Sequence, residues 1–175
     1  FDFAGGGGAG SDSATLAIAH PEKDTVVLDA IREVKPPFSP ETVCTDFAAL
    51  IKSYRCSKAT ADRWGGQFPV EQMRKHGVTV TPSELTKSEL YKEALPLLNS
   101  GAVALLDHAR LRTQLGHLER RTARGGKDSI DHAPRQHDDV ANAVCGAVVH
   151  AHKNKRRMYW DEQFQEFRPD LGISI

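Results

Sequence analysis

Residues 14–34 constrain the fold more than any other stretch. "ATLAIAH" (14–20) and "DTVVLDAIREV" (24–34) are runs of β-formers separated only by "PEK". Two strands joined that tightly must lie antiparallel, because a parallel return needs a crossover of a dozen residues or more. The period then changes. Val43, Phe47, Leu50, Ile51 and Tyr54 recur at helical spacing, behind Ser39 as N-cap and Pro40 in the first turn, so 40–55 is expected to be an amphipathic helix.

From there strand and helix signals alternate. "ATADRWGG" (59–66) reads as a short strand ending in a glycine turn, 69–76 as a short helix stopped by Gly77, and 78–82 as a strand. Thr86 and Glu89 form a capping box, with Leu85 and Leu90 as a hydrophobic staple. Leu90, Ala94, Leu97 and Leu98 share one face of the helix that follows, and Pro96 is expected to kink or end its last turn. A strand at 102–106, a helix over 108–120, a polar loop or hairpin over 121–136 and a helix from His137 to about residue 152 complete the order. A hairpin followed by alternating elements makes an α/β domain whose first strands are antiparallel and whose later strands alternate with helices. The opening "FDF" reads as the end of a strand, so the chain is expected to be part of a longer polypeptide that begins in or near its first strand.

Charge narrows the function classes little: Lys+Arg and Asp+Glu both total 23, so a nucleic-acid partner must be argued from local charge. The three cysteines are widely spaced and odd in number, which suits neither a disulfide framework nor a cysteine zinc site. No apolar run approaches the ~18 residues of a membrane helix.

Gly5, Gly7 and Gly10 fit the dinucleotide spacing G-x-G-x-x-G, and Asp29 lies where that fingerprint asks for an acid. The fingerprint needs a helix directly after the glycines, whose N-terminus holds the phosphates. Here a strand pattern follows, so the glycines read as a turn. Ser11-Asp12 stands where a P-loop would need lysine.

The carboxylates carry more. Asp2 ends the first strand, Asp62 ends a central one, and Asp138 and Asp139 open the last long helix. Singly these are a strand-end acid, a turn acid and two helix N-terminal acids, the last favoured by the helix dipole. Together they converge on one edge of an α/β sheet, where sites form. Oxygen donors suit hard divalent ions such as Mg²⁺ or Mn²⁺. Two ions ~3.5–4 Å apart stabilise both the attacking and the leaving oxygen of a phosphodiester. Arg120, Arg121, Arg124 and Lys127 form a basic cluster around a Gly-Gly turn: either a solvated loop or a contact to a phosphate backbone. "KNKRR" (153–157) is a weaker cluster of the same kind. His132 and His137 neighbour the acids without any familiar zinc spacing.

"DRWGGQFP", "KSELY", "LPLLNSG", "LERRTARGGKDSIDHAP" and "HDDVANAV" occur in this order. With them the chain, from Asp2 to about Val149, resembles the C-terminal nuclease domain of tailed-bacteriophage terminase large subunits. The resemblance implies a ribonuclease H-like fold of the resolvase/integrase type over residues 1–152, with 153–175 as a peripheral tail. It implies a mixed sheet flanked by helices, and metal-dependent endonucleolytic cutting of concatemeric viral double-stranded DNA during genome packaging, through a two-metal Mg²⁺ or Mn²⁺ site. Asp2, Asp62, Asp138 and Asp139 would be the catalytic and metal-holding acids, with either helix acid as the closer ligand. Arg120, Arg121, Arg124 and Lys127 would hold DNA. Implied partners are an N-terminal ATPase domain, the terminase small subunit and the portal, in the host cytoplasm. Phe3-Ala4 and Arg135-Gln136 depart from the residues usual in the family. A resolvase or transposase using the same carboxylates, and a DNA- or portal-docking module with little activity of its own, are the alternatives.

Overall fold

The computed structural model of the chain describes residues 1–2, 12–61, 67–122 and 128–166, with side chains through Lys155. The expected hairpin is there. β1 (Ala14–Glu22) pairs antiparallel with β2 (Thr25–Val34), from Ala14 opposite Val34 to Glu22 opposite Thr25. The strand runs through Pro21 and Glu22, so the turn is only Lys23 and Asp24, with Lys23 in the left-handed region at φ 48°. Asp29 is an extra residue in β2, where the register shifts between Ile18 and Ala19.

Helix α1 (Pro40–Ser53) starts where Ser39 accepts the Thr42 N–H, and it buries Val43, Cys44, Phe47, Ala48 and Ile51. β3 (Lys58–Ala61), α2 (Gln67–Lys75) and β4 (Thr79–Pro82) follow, with β3 and β4 parallel. Helix α3 (Lys87–Asn99) opens on the Thr86/Glu89 capping box. It passes Pro96 by three residues and ends before Gly101, whose φ of 72° suits glycine. β5 (Val103–Ala104) adds parallel to β2.

Two expectations change here. The helix read over 108–120 is α4 (Ala109–Gly116), which stops because β6 (Leu118–Thr122) pairs antiparallel with β7 (Asp128–His132). A long-range ladder overrides the helical spacing of Leu111, Leu115 and Leu118. The last helix, α5 (Asp139–Glu166), extends well beyond residue 152.

The sheets are β1-β2-β5, β3-β4 and β6-β7. Residues 1–2 knit the first two together. Asp2 and Thr15 exchange backbone bonds of 2.9 and 2.8 Å, while the Phe1 nitrogen donates to the Thr60 carbonyl at 2.6 Å. The order across the knitted array is therefore β4, β3, residues 1–2, β1, β2, β5, with helices on both faces. Ala14 and Leu16 of β1 pack on α1 with Phe47, Met73 and Val78. Val26 and Leu28 of β2 pack against α3, α4 and α5 through Leu90, Tyr91, Leu111, Val140, Val144 and Val148. Alanines 141, 143, 147 and 151 and Gly146 keep α5 slim where it crosses the sheet.

Candidate active site

The site lies where residues 1–2, the start of β1 and the N-terminus of α5 meet. Asp2 is fixed by its two backbone bonds to Thr15, and its carboxylate accepts from Asn142 Nδ2 at 2.9 Å. Asn142 is three residues beyond Asp139, hence on the same face of α5. Asp139 is only 4% exposed. Its Oδ2 accepts the Ser13 N–H at 3.1 Å, and Thr15 Oγ1 donates to the Asp139 carbonyl at 2.9 Å. Sheet and helix are thus sewn together at the first turn of α5.

Charge at Asp139 is poorly balanced. Arg110 Nη2 stands 3.9 Å away, while Arg110 Nε faces Glu33 Oε1 at 2.9 Å. Burial pushes the Asp139 carboxyl up to about 6; the Ser13 N–H opposes this, and the Asp12 and Asp2 charges add to it. Among the described residues, Arg110 at 3.9 Å and His137 are the positive groups set against this buried carboxylate and its acidic neighbours, and an oxygen-seeking divalent ion would add the charge the cluster is short of. Donor atoms of Asp12, His137 and Asp139 lie within 4.8 Å of one another, with His137 Nδ1 3.0 Å from Asp12 Oδ1. The residues therefore fit such an ion.

Asp138 differs. Tyr91 donates to its Oδ2 at 2.7 Å and Lys87 Nζ lies 3.1 Å away, with Lys87 also 2.8 Å from Asp131. Burial pulls the Lys87 amine down, but Asp131 and Asp138 outweigh it and hold the amine above its usual range. Burial, reinforced by the Asp138 charge, drives the Tyr91 hydroxyl far up, so it stays a donor. Asp131, His132 and Asp138 also cluster, but Lys87 already supplies their cation.

Of the residues read from sequence, Asp2 and Asp139 come together, and Asp138 is adjacent but engaged. Asp62 follows the last residue of β3 and lies outside the described residues, as do Gly5, Gly7, Gly10, Arg124 and Lys127. Arg120 and Arg121 sit exposed on β6. Arg120 pairs with Asp128, and Arg121 reaches Glu119 Oε2 at 3.2 Å and the His132 carbonyl at 3.0 Å. Sequence reading missed Asn142, Arg110, Glu33, Lys87, Tyr91 and the pairing of Asp12 with His137. Only Asn142, one turn beyond Asp139, carried a positional signal.

No protein-family model and no curated protein matches the chain. Solved structures do. The large terminase nuclease from thermophilic phage G20c aligns at TM-score 0.62 and 17% identity, over 79% of this chain and 82% of that one. The same nuclease with bound magnesium aligns at 0.61 and 18%, over 79% and 82%. A mutant nuclease domain of the large terminase subunit of bacterial virus Sf6, with manganese, aligns at 0.52 and 11%, over 78% and 88%. The chain has the ribonuclease H-like fold of large-terminase nuclease domains.

Proposed function

We propose that this chain is a divalent-metal-dependent DNA endonuclease domain that cuts concatemeric viral DNA during packaging. The observation that carries the reading is the buried, under-compensated Asp139 beside Asp2 at the α5 N-terminus. The magnesium and manganese named for the neighbouring structures support the choice of ion.

In this reading Asp2, Asp62 and Asp139 hold the ions, and Asp12 and His137 line the open side. Bound Mg²⁺ or Mn²⁺ would supply the electrophilic stabilisation of the attacking and leaving oxygens. Asn142 fixes the Asp2 carboxylate, and the Ser13 N–H fixes that of Asp139. Asp138 acts as a positioning residue: with Lys87 and Tyr91 it anchors the first turn of α5 to α3 and β7. Arg120, Arg121, Arg124 and Lys127 on or beside the β6–β7 hairpin would hold phosphates, a contact that positions DNA without reading bases. Double-stranded DNA is then the substrate, and an ATPase motor domain, the small subunit and the portal are the proposed partners, in the host cytoplasm.

The test is plasmid nicking in Mn²⁺, with EDTA and Asp139→Ala as controls. Cutting by the parent alone, abolished by EDTA, is expected. Equal cutting by parent and variant removes the site from the reaction.

A further inference from the structure

Arg110 is placed against its local chemistry. It sits in the first turn of α4, where the helix dipole disfavours a cation, and that turn holds no acid. Its partners come from elsewhere. Nε lies 2.9 Å from Glu33 Oε1 of β2, and Nη2 lies 3.9 Å from Asp139 Oδ2 of α5. The hairpin register brings Glu33 there. It stands opposite Thr15, whose backbone holds Asp2 and whose hydroxyl donates to the Asp139 carbonyl.

The helix is fixed more firmly than the guanidinium. Leu111 is buried in the core, and Gln114 Oε1 accepts the Ala141 N–H at 3.0 Å, so α4 is docked on the first turn of α5. His108 Nδ1 accepts the Leu111 N–H at 3.1 Å and caps the end that carries Arg110. Yet Arg110 Nε and Glu33 Oε1, both buried, make no hydrogen bond with each other or with another described residue, short as their separation is. The Asp139 contact at 3.9 Å is too long for one. The fork is held between two carboxylates by charge and not by aligned bonds. Its side chain is 34% exposed, so a ligand from solvent can reach it.

We propose that Arg110 is a phosphate-contacting residue held in reserve by these carboxylates. Without a divalent ion it serves as their counter-cation. Once such an ion neutralises Asp139, the guanidinium is released for a DNA phosphate, the other anion its planar fork matches. Arg110 would thereby couple two events: metal raises the affinity for DNA, and by reciprocity DNA raises the affinity for metal. A static ion pair tying α4 to β2 is the plainer role for the same contacts, and the two roles differ in sign. Loss of a static tie loosens the site and weakens ion binding; loss of a competing cation strengthens it. The phosphate contact rests on the nuclease reading; the competition with a divalent ion does not.

The test is Arg110→Gln, which keeps a polar side chain without the charge, beside Arg110→Lys, which keeps the charge. Mn²⁺ binding is read by titration calorimetry without DNA, and duplex binding by fluorescence anisotropy in Ca²⁺ and in EDTA. Arg110→Gln is expected to bind Mn²⁺ about three- to tenfold more tightly than the parent, and Arg110→Lys to bind it as the parent does. Arg110→Gln is expected to bind duplex about tenfold or more weakly than the parent in Ca²⁺, and within about twofold of it in EDTA. Equal or weaker Mn²⁺ binding by Arg110→Gln overturns the proposal in favour of the static tie. So does an equal gain in Arg110→Lys, or the same loss of duplex binding with and without Ca²⁺. A tighter Mn²⁺ site in Arg110→Gln, when the parent nicks no DNA in Mn²⁺, supports the competition while removing the nuclease reading.

Discussion

Replacing Asp139 by asparagine should make the metal-free protein more stable at alkaline pH, although it removes the central acid of the site. The Asp139 carboxyl titrates near 6 when folded, against an ordinary value of 3.8. A raised folded value means that the folded state holds the proton more tightly. Its contribution to stability is fully present below 3.8 and is lost as pH rises through 6. A shift of about two units corresponds to about 3 kcal/mol of destabilisation above pH 7, at ~1.4 kcal/mol per unit. Asparagine keeps an oxygen for the Ser13 N–H and discards the charge; losing the attraction of Arg110 at 3.9 Å trims the gain. Asp139→Asn should therefore exceed the parent by about 1–3 kcal/mol at pH 8 in EDTA and match it near pH 4. Urea unfolding followed by circular dichroism at pH 4, 6 and 8 measures the difference. Added Mn²⁺ should stabilise the parent and leave the variant unmoved. A variant less stable than the parent at pH 8, or a difference independent of pH, refutes the argument that buried charge is uncompensated here.

Tyr91→Phe removes the phenol from a buried carboxylate and should cost about 1.5–3 kcal/mol in urea unfolding, while retaining far more nicking activity than Asp139→Ala. Thr86→Ala removes the side-chain half of the α3 capping box, the oxygen that accepts the Glu89 N–H, and should cost about 1 kcal/mol by the same measurement. Phe47→Ala, at a fully buried position, should cost about 3–5 kcal/mol. Arg120 and Arg121 changed together to alanine should weaken DNA binding alike on unrelated sequences and lower the slope of log K against log salt by at most about 2.

Local chemistry was legible in the sequence. The capping box at Thr86 and Glu89, the Ser39–Pro40 start of α1 and the hairpin of β1 and β2 all depend on neighbours a few residues apart. What failed to read depends on distant partners. The spacing of Leu111, Leu115 and Leu118 is helical, yet Leu118 belongs to β6, because β7 offers a ladder ten residues later. Asp138 and Asp139 look interchangeable in a string of letters. Asp138 precedes α5 and Asp139 is its first residue, and only the docking of that helix turns one toward Asp2 and the other toward Lys87 and Tyr91. Arg110 and Glu33 reach the site from separate segments whose meeting no short spacing encodes. Asp62, Arg124 and Lys127 fall outside the described residues, so their part in the site remains a proposal.

The bond between Asp2 and Asn142 joins residues 140 positions apart, and that between Ser13 and Asp139 spans 126. In terms of synthesis, the first half of the candidate centre leaves the ribosome long before the second. A nascent chain lacking α5 carries Asp2 without the Asn142 amide on its carboxylate and with no Asp139 beside it. On the proposed nuclease reading, cutting competence would then arise only after nearly the whole domain has emerged and docked its last helix. On the same reading, prematurely terminated products lacking that helix would leave DNA uncut.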